Sequence, residues 1–253
     1  AATMTEPQRS PWIRNFLPAP GARIRLVCFP HAGGSASYYF PLSRALSPEF
    51  DVYALQYPGR QDRYKEPFVE TIDALADQIH AELAAVPAGP VAFFGHSMGA
   101  VLAFEVARRM ETQTGLTPVT IFASGSRAPS RYGDERDHKD DRELVDVMRQ
   151  LGGTDPRVLE NREMLETFLP AFRNDYRALQ AYHRDTDVGI SAPIVVMAAT
   201  DDPKTSVADA SAWHEHTSGG GAVHTFTGGH FYLEKQPQGV IEVIARTLRG
   251  LPD

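Results

Sequence analysis

The stretch Gly95-His96-Ser97-Met98-Gly99 sets a hydroxyl between two glycines, where the apolar run Val91-Ala92-Phe93-Phe94 gives way to a helical pattern. Gly-x-Ser-x-Gly in that setting reads as a nucleophile elbow, with Ser97 at the apex of a sharp strand-to-helix turn. The helix start just after Ser97 offers free N–H groups and a positive dipole end, which suits a developing oxyanion. At roughly 7% glycine in average proteins, the bare pattern arises by chance in roughly one chain of this length in ten. Its weight therefore comes from its surroundings. The bland alternative is a tight strand–helix turn with an incidental serine.

A serine hydroxyl attacks only when a base takes its proton. His230 lies in Gly228-Gly229-His230-Phe231-Tyr232, directly after the last strand pattern, where a base would hang over Ser97. Asp201 and Asp202 follow the strand pattern Pro193 to Ala199 and complete the chain order Ser, Asp, His. Asp202 is preferred to Asp201, because the strand-end loop needs a few residues to turn a carboxylate towards the histidine. Between Phe29 and Tyr38 the small-residue loop Pro30-His31-Ala32-Gly33-Gly34-Ser35 lets the backbone come close to a reacting oxygen. The backbone N–H groups of Ala32 and Met98 are the expected oxyanion-hole donors. His31 is expected to shape this loop by hydrogen bonding rather than act as the base. The other histidines fall in helix, strand or charge-run patterns and read as structural or surface residues.

These groups need a rigid frame. Ile24 to Phe29, Asp51 to Gln56, Val91 to His96, Thr120 to Ser126, Pro193 to Ala199 and Val223 to Phe226 read as short buried strands. They alternate with helical patterns near 38–46, 71–86, 98–109, 208–216 and 240–248, which implies an α/β fold with a mainly parallel sheet covered on both faces. Residues 1–22 form an extended arm interrupted by Pro7, Pro11, Pro18 and Pro20, with Trp12, Ile13, Phe16 and Leu17 able to dock. Residues 129–187 break the alternation: a charged run is followed by two apolar helical stripes and no strand. They read as a helical lid over the carboxyl end of the sheet, lining an apolar channel for a substrate tail.

The 253 residues fit one large domain. A hydrophobic content of 42% with 23% charged residues is that of an ordinary globular protein. The net charge of −7 without a basic stripe argues against nucleic acid. The single cysteine, Cys28, sits in an apolar run and reads as a core residue. No apolar h-region begins the chain and no run of about 18 apolar residues occurs, so a cytoplasmic location without membrane contact is expected. No coiled-coil pattern or long apolar edge is visible, which points to a monomer.

The motifs together resemble a known family. Phe29-Pro30-His31-Ala32-Gly33-Gly34-Ser35, Tyr57-Pro58-Gly59-Arg60, Gly95-His96-Ser97-Met98-Gly99-Ala100, Leu151-Gly152-Gly153-Thr154 and Gly229-His230-Phe231-Tyr232 are similar to those of type II thioesterases, members of the α/β-hydrolase superfamily. The resemblance covers about residues 12–250. It implies an editing hydrolase that frees carrier proteins of polyketide synthases and nonribosomal peptide synthetases from stalled acyl groups on their phosphopantetheine arm. It also implies a Ser97, Asp202, His230 triad and no cofactor or metal. Ala198-Ala199-Thr200 departs from the glycine the family often has before the acidic residue. Arg60, Arg63, Lys65, Arg173 and Arg177 are candidates to meet an acidic carrier surface. A general esterase or lipase on the same fold, and a hydrolase-shaped binding protein with a dead site, are the competing readings.

Overall fold

The computed structural model describes residues 10–133 and 139–253. Pro7 of the arm and most of the charged run, residues 134–138, lie outside them. Seven strands form one sheet in the order β1-β3-β2-β4-β5-β6-β7. They are β1 (Ile13–Arg14), β2 (Arg25–Phe29), β3 (Asp51–Leu55), β4 (Val91–His96), β5 (Ile121–Ser124), β6 (Ile194–Ala199) and β7 (Val223–Phe226). All neighbours pair in parallel except β1, which runs antiparallel to β3. Runs such as Leu26-Val27-Cys28-Phe29 are apolar on both faces, as a parallel sheet sandwiched between helices requires.

Each face has its own core. On one side α2 (Ile72–Ala84) and α3 (Met98–Thr114) bury Ile72, Leu75, Ile79, Val101, Leu102 and Phe104 against the sheet. On the other, α1 (Phe40–Leu46) and α9 (Pro237–Arg249) bury Leu46, Val240, Ile244 and Leu248. Thr71 caps α2 by accepting the Ala74 N–H at 3.1 Å, which fixes where that helix begins after an irregular loop.

The arm is more ordered than its prolines suggested. Ile13–Arg14 adds an edge strand between Pro11 and Pro18, a place where flanking prolines cost no ladder hydrogen bond. Trp12 and Ile13 are buried, and the Arg63 guanidinium lies 4.3 Å over the Trp12 ring. Asp51 holds the rest of the arm, accepting from Asn15 Nδ2 at 3.0 Å and Ala19 N–H at 3.1 Å. Leu17, in contrast, stays exposed.

The segment expected to be helical without strands contains α4 (Asp141–Leu151), α5 (Pro156–Glu160) and α6 (Arg162–Gln180). Asp140 and Glu143 close a reciprocal capping box on α4, and Gly152 ends it at φ 80°. Leu144, Val147 and Met148 of α4 pack on Leu169, Phe172 and Tyr176 of α6 as a small separate core. The helix expected over 208–216 divides into α7 (Val207–Ser211) and a 3-10 turn at Ala212–His216. The short α8 (Tyr232–Lys235) follows β7 and leads into α9.

Candidate active site

Strand β4 ends at His96, and the chain reverses at Ser97 with φ 57° and ψ −119°. That is a region which L side chains avoid and glycine tolerates. Two close approaches hold it there. A Cβ on Gly95 would lie 2.2 Å from the Gly99 carbonyl carbon, and one on Gly99 would lie 1.9 Å from the Phe29 oxygen. The Ser97 N–H donates to Ser124 O at 2.8 Å, tying the apex to β5.

Opposite the elbow, His230 Nδ1 stands 2.8 Å from Asp202 Oδ2. A carboxylate accepts only, so Nδ1 carries the proton in this pair, and in the neutral ring that makes Nε2 the nitrogen with the lone pair. Asp202 is itself fixed, since Oδ1 accepts the Lys204 N–H at 2.9 Å. Side-chain exposure is 0% for Asp202 and 4% for His230. Asp201 is exposed, and its N–H is taken by Gly228 O at 2.9 Å. The carboxylate on the histidine is therefore Asp202.

Ser97, His230 and Ala32 line two small cavities of about 50 and 30 Å³. Leu151 and Phe172 border both, so the α4–α6 segment walls the cavities that hold Ser97 and His230. The larger cavity continues past Tyr132, Tyr176, Leu179 and Lys204, and the smaller past Met148, Phe168 and Phe231. Among the hydrogen bonds of the described residues, none takes the N–H of Ala32 or Met98. Gly34 N–H donates to His31 O at 2.9 Å; in a trans peptide that turns the Ala32 N–H the opposite way.

Three histidines crowd this region with different tasks. His96 is fully buried; its Nδ1 is 2.9 Å from Ser124 Oγ, which in turn is 2.6 Å from Tyr232 Oη. The His96 and His230 ring centres are 5.0 Å apart. Burial first, then the nearby His230 and His31, keeps the His96 pKa well below the ordinary imidazole value. His31 does not shape its loop through ring hydrogen bonds as expected. Its ring packs edge-on against Tyr38 and Phe231 at 4.7 and 4.9 Å, and Nδ1 has no hydrogen-bond partner among the described residues. Burial, followed by repulsion from His230 and Arg60, lowers its pKa to about 3. Both rings stay neutral near pH 7.

Arg60 and Arg63 were expected at a charged surface, and the fold buries both. Arg60, 6% exposed, forks onto the Asp175 carboxylate, with Nη2–Oδ1 at 3.0 Å. Arg63 bonds Glu66 at 2.6 and 2.8 Å and Gln56 O at 2.7 Å. Arg173 pairs with Asp141 at 2.7 and 2.8 Å, whereas Lys65 and Arg177 are exposed. Asp175 was missed in the sequence. Its signal was there: it falls in the apolar stripe Phe172, Tyr176, Leu179 of α6, where a carboxylate is out of place without a buried partner. Among the described residues, no group of three or more His, Cys, Asp or Glu is placed to hold a metal, and no helix is long and apolar enough to cross a membrane.

With this geometry in place, residues 24–248 match the thioesterase domain family. The chain belongs to the thioesterase family. It is 47% identical over 238 residues to a probable cadicidin biosynthesis thioesterase of Streptomyces griseus, aligning 94% of this chain with 66% of that one. It is 43% identical over 249 residues to the thioesterase PikA5 of Streptomyces venezuelae, with 96% of this chain and 88% of that one aligned. Among solved structures, the type II thioesterase BorB from the borrelidin biosynthetic cluster superposes with a TM-score of 0.84 at 44% identity, covering 93% of this chain and 96% of that one. The thioesterase is thus a hydrolase of thioesters on the α/β-hydrolase fold. The type II thioesterase resemblance drawn from the motifs holds along nearly the whole chain.

Proposed function

We propose that this thioesterase frees carrier proteins of stalled or wrong acyl groups by a two-step acyl-enzyme mechanism. The observation that carries the reading is the His230–Asp202 pair at 2.8 Å, whose histidine lines one cavity with an elbow serine held at positive φ. In the first step Ser97 Oγ attacks the thioester carbonyl while His230 Nε2 takes its proton. The C–S bond then breaks and His230 returns the proton to the departing pantetheine sulfur. Water repeats the sequence on the acyl-Ser97 ester, releasing the acid and restoring the serine. Asp202 keeps His230 in the tautomer that leaves Nε2 unprotonated and stabilises the imidazolium formed at each attack. The Ala32 and Met98 N–H groups receive the oxyanion, each worth about 3 kcal/mol in the transition state. None of these steps calls on a cofactor.

The partner is an acyl or peptidyl carrier protein of a polyketide or nonribosomal peptide synthase. The basis is the company of relatives named for biosynthetic clusters. Of the cations considered for docking an acidic carrier, Lys65 and Arg177 are exposed on the surface, whereas Arg60 and Arg63 are committed inside. The cytoplasmic, monomeric setting belongs to this same reading. The test is hydrolysis of acyl-carrier protein by the native chain and by Ser97→Ala, read by mass spectrometry of the phosphopantetheine arm. Loss of the acyl group with the native chain alone is the expected result. An arm left acylated while simple oxygen esters are cleaved would overturn the carrier-protein assignment in favour of an esterase.

A further inference from the structure

Asp175 stands on α6, in the helical cap, yet its carboxylate serves the turn on the opposite side of the cavity. Oδ2 accepts the Gly33 N–H at 2.8 Å and also faces Arg60 Nη1; Oδ1 accepts Arg60 Nη2 at 3.0 Å and Asn174 Nδ2 at 3.3 Å. Asn174 Nδ2 also donates to Val69 O at 2.9 Å. The Asp175 and Arg60 side chains are 1% and 5% exposed. A desolvated pair of this kind adds little to stability over apolar residues of the same size. What it supplies is direction. The carboxylate grips the second peptide of the His31–Gly34 turn, whose first peptide carries the Ala32 N–H. Tyr57 Oη holds the near end of the turn by donating to Pro30 O at 2.8 Å, and Gln56 Oε1 holds the far end through the Ala36 N–H at 2.8 Å. Asp175 is the residue of the cap that hydrogen-bonds the middle of the turn, among the described residues. Gly33, at φ 75°, leaves room for this approach, since a Cβ there would press on Phe172 Cβ at 3.2 Å.

We propose that Asp175 is a positioning residue for the oxyanion hole: by holding the Gly33 peptide against Arg60, it sets the direction of the Ala32 N–H and makes that donor depend on the seating of α6. The proposal rests on the serine-hydrolase reading given above, with Ala32 as donor. It makes the cap a part of the catalytic geometry as well as a wall of the cavity. A donor misdirected by a fraction of an ångström loses transition-state stabilisation while ground-state binding is little changed.

The test is steady-state hydrolysis of an acyl-N-acetylcysteamine thioester by the native chain, Asp175→Asn and Arg60→Lys, at a temperature where each is folded by circular dichroism. Asn keeps the size and one acceptor but loses the charge that Arg60 clasps; Lys keeps the cation but loses the fork. For Asp175→Asn, kcat is expected to fall about tenfold to a hundredfold with KM within about twofold. Affinity for a trifluoromethyl ketone analogue of the acyl group, which forms a tetrahedral oxyanion on Ser97, should fall by the same factor. Arg60→Lys should show a smaller loss of the same kind, and it carries the test if Asp175→Asn does not fold. A folded variant with native kcat, or one that changes KM alone, would overturn the positioning role. A native chain that turns over no thioester and is not trapped by the ketone would overturn the underlying reading, and this proposal with it.

Discussion

Ser97 is held at φ 57°, ψ −119°, where its Cβ crowds the backbone. A non-glycine residue in so sparse a region costs about 1–3 kcal/mol, which the surrounding contacts must offset. Replacing Ser97 with Gly removes that crowding, but also gives the unfolded chain extra freedom worth about 0.5–1 kcal/mol. Ser97→Ala retains the crowding and deletes only the hydroxyl, for which no hydrogen bond within the chain is found among the described residues. The two variants should both be inactive, yet differ in stability by about 1 kcal/mol in favour of Gly, the difference of the central values. For a chain of this size about 1 kcal/mol moves the melting temperature by about 2–4 °C, so Ser97→Gly should melt about 2–4 °C above Ser97→Ala. Differential scanning calorimetry on the pair measures this directly. A glycine variant that melts at or below the alanine variant would refute the idea that the elbow stores strain at its nucleophile.

Three further outcomes follow from the same geometry. Asp202→Asn should lower kcat by about 10⁴ by favouring the wrong His230 tautomer, while Asp201→Asn leaves it unchanged; stopped assays on an acyl thioester separate the two. Gly99→Ala forces a Cβ to 1.9 Å from the Phe29 oxygen and should cost more than about 4 kcal/mol in denaturant melts, whereas Gly229→Ala meets nothing within 4 Å and should pack without a clash. His31 and His96 have folded-state pKa values below the ordinary 6.5, so the unfolded chain binds protons that the folded chain refuses. Their contribution is present above about pH 6.5 and is lost as pH falls below it, by about 1.4 kcal/mol per pH unit for each proton. Guanidinium midpoints should therefore drop between pH 6.5 and 4.5, less steeply in His31→Phe, and a midpoint indifferent to that substitution would argue against the assignment.

Much of the fold was legible because parallel strands buried on both faces write themselves as unbroken apolar runs. Leu26 to Phe29 and Ile194 to Ala199 could be little else. The elbow was legible for a related reason: its two glycines answer a local steric demand that strand, turn and helix impose within five residues. The edge strand Ile13–Arg14 was not, because its partner Ala54–Leu55 lies some forty residues away and its own two residues carry no period.

What the sequence determined by itself was the set of candidate reacting groups, since Ser97, His230 and an aspartate after β6 follow from residue type, local pattern and chain order. Tertiary structure alone decided which partner each charge would find. Asp201 and Asp202 are chemically identical neighbours, and only the path of the loop into Lys204 places the second on His230. Arg60 and Arg63 look like surface cations in a polar loop until the cap helix brings Asp175 over Arg60, and the turn brings Glu66 to Arg63. Local sequence fixes what a side chain can do. The distance at which it meets a partner 115 residues away is set only when the layers close.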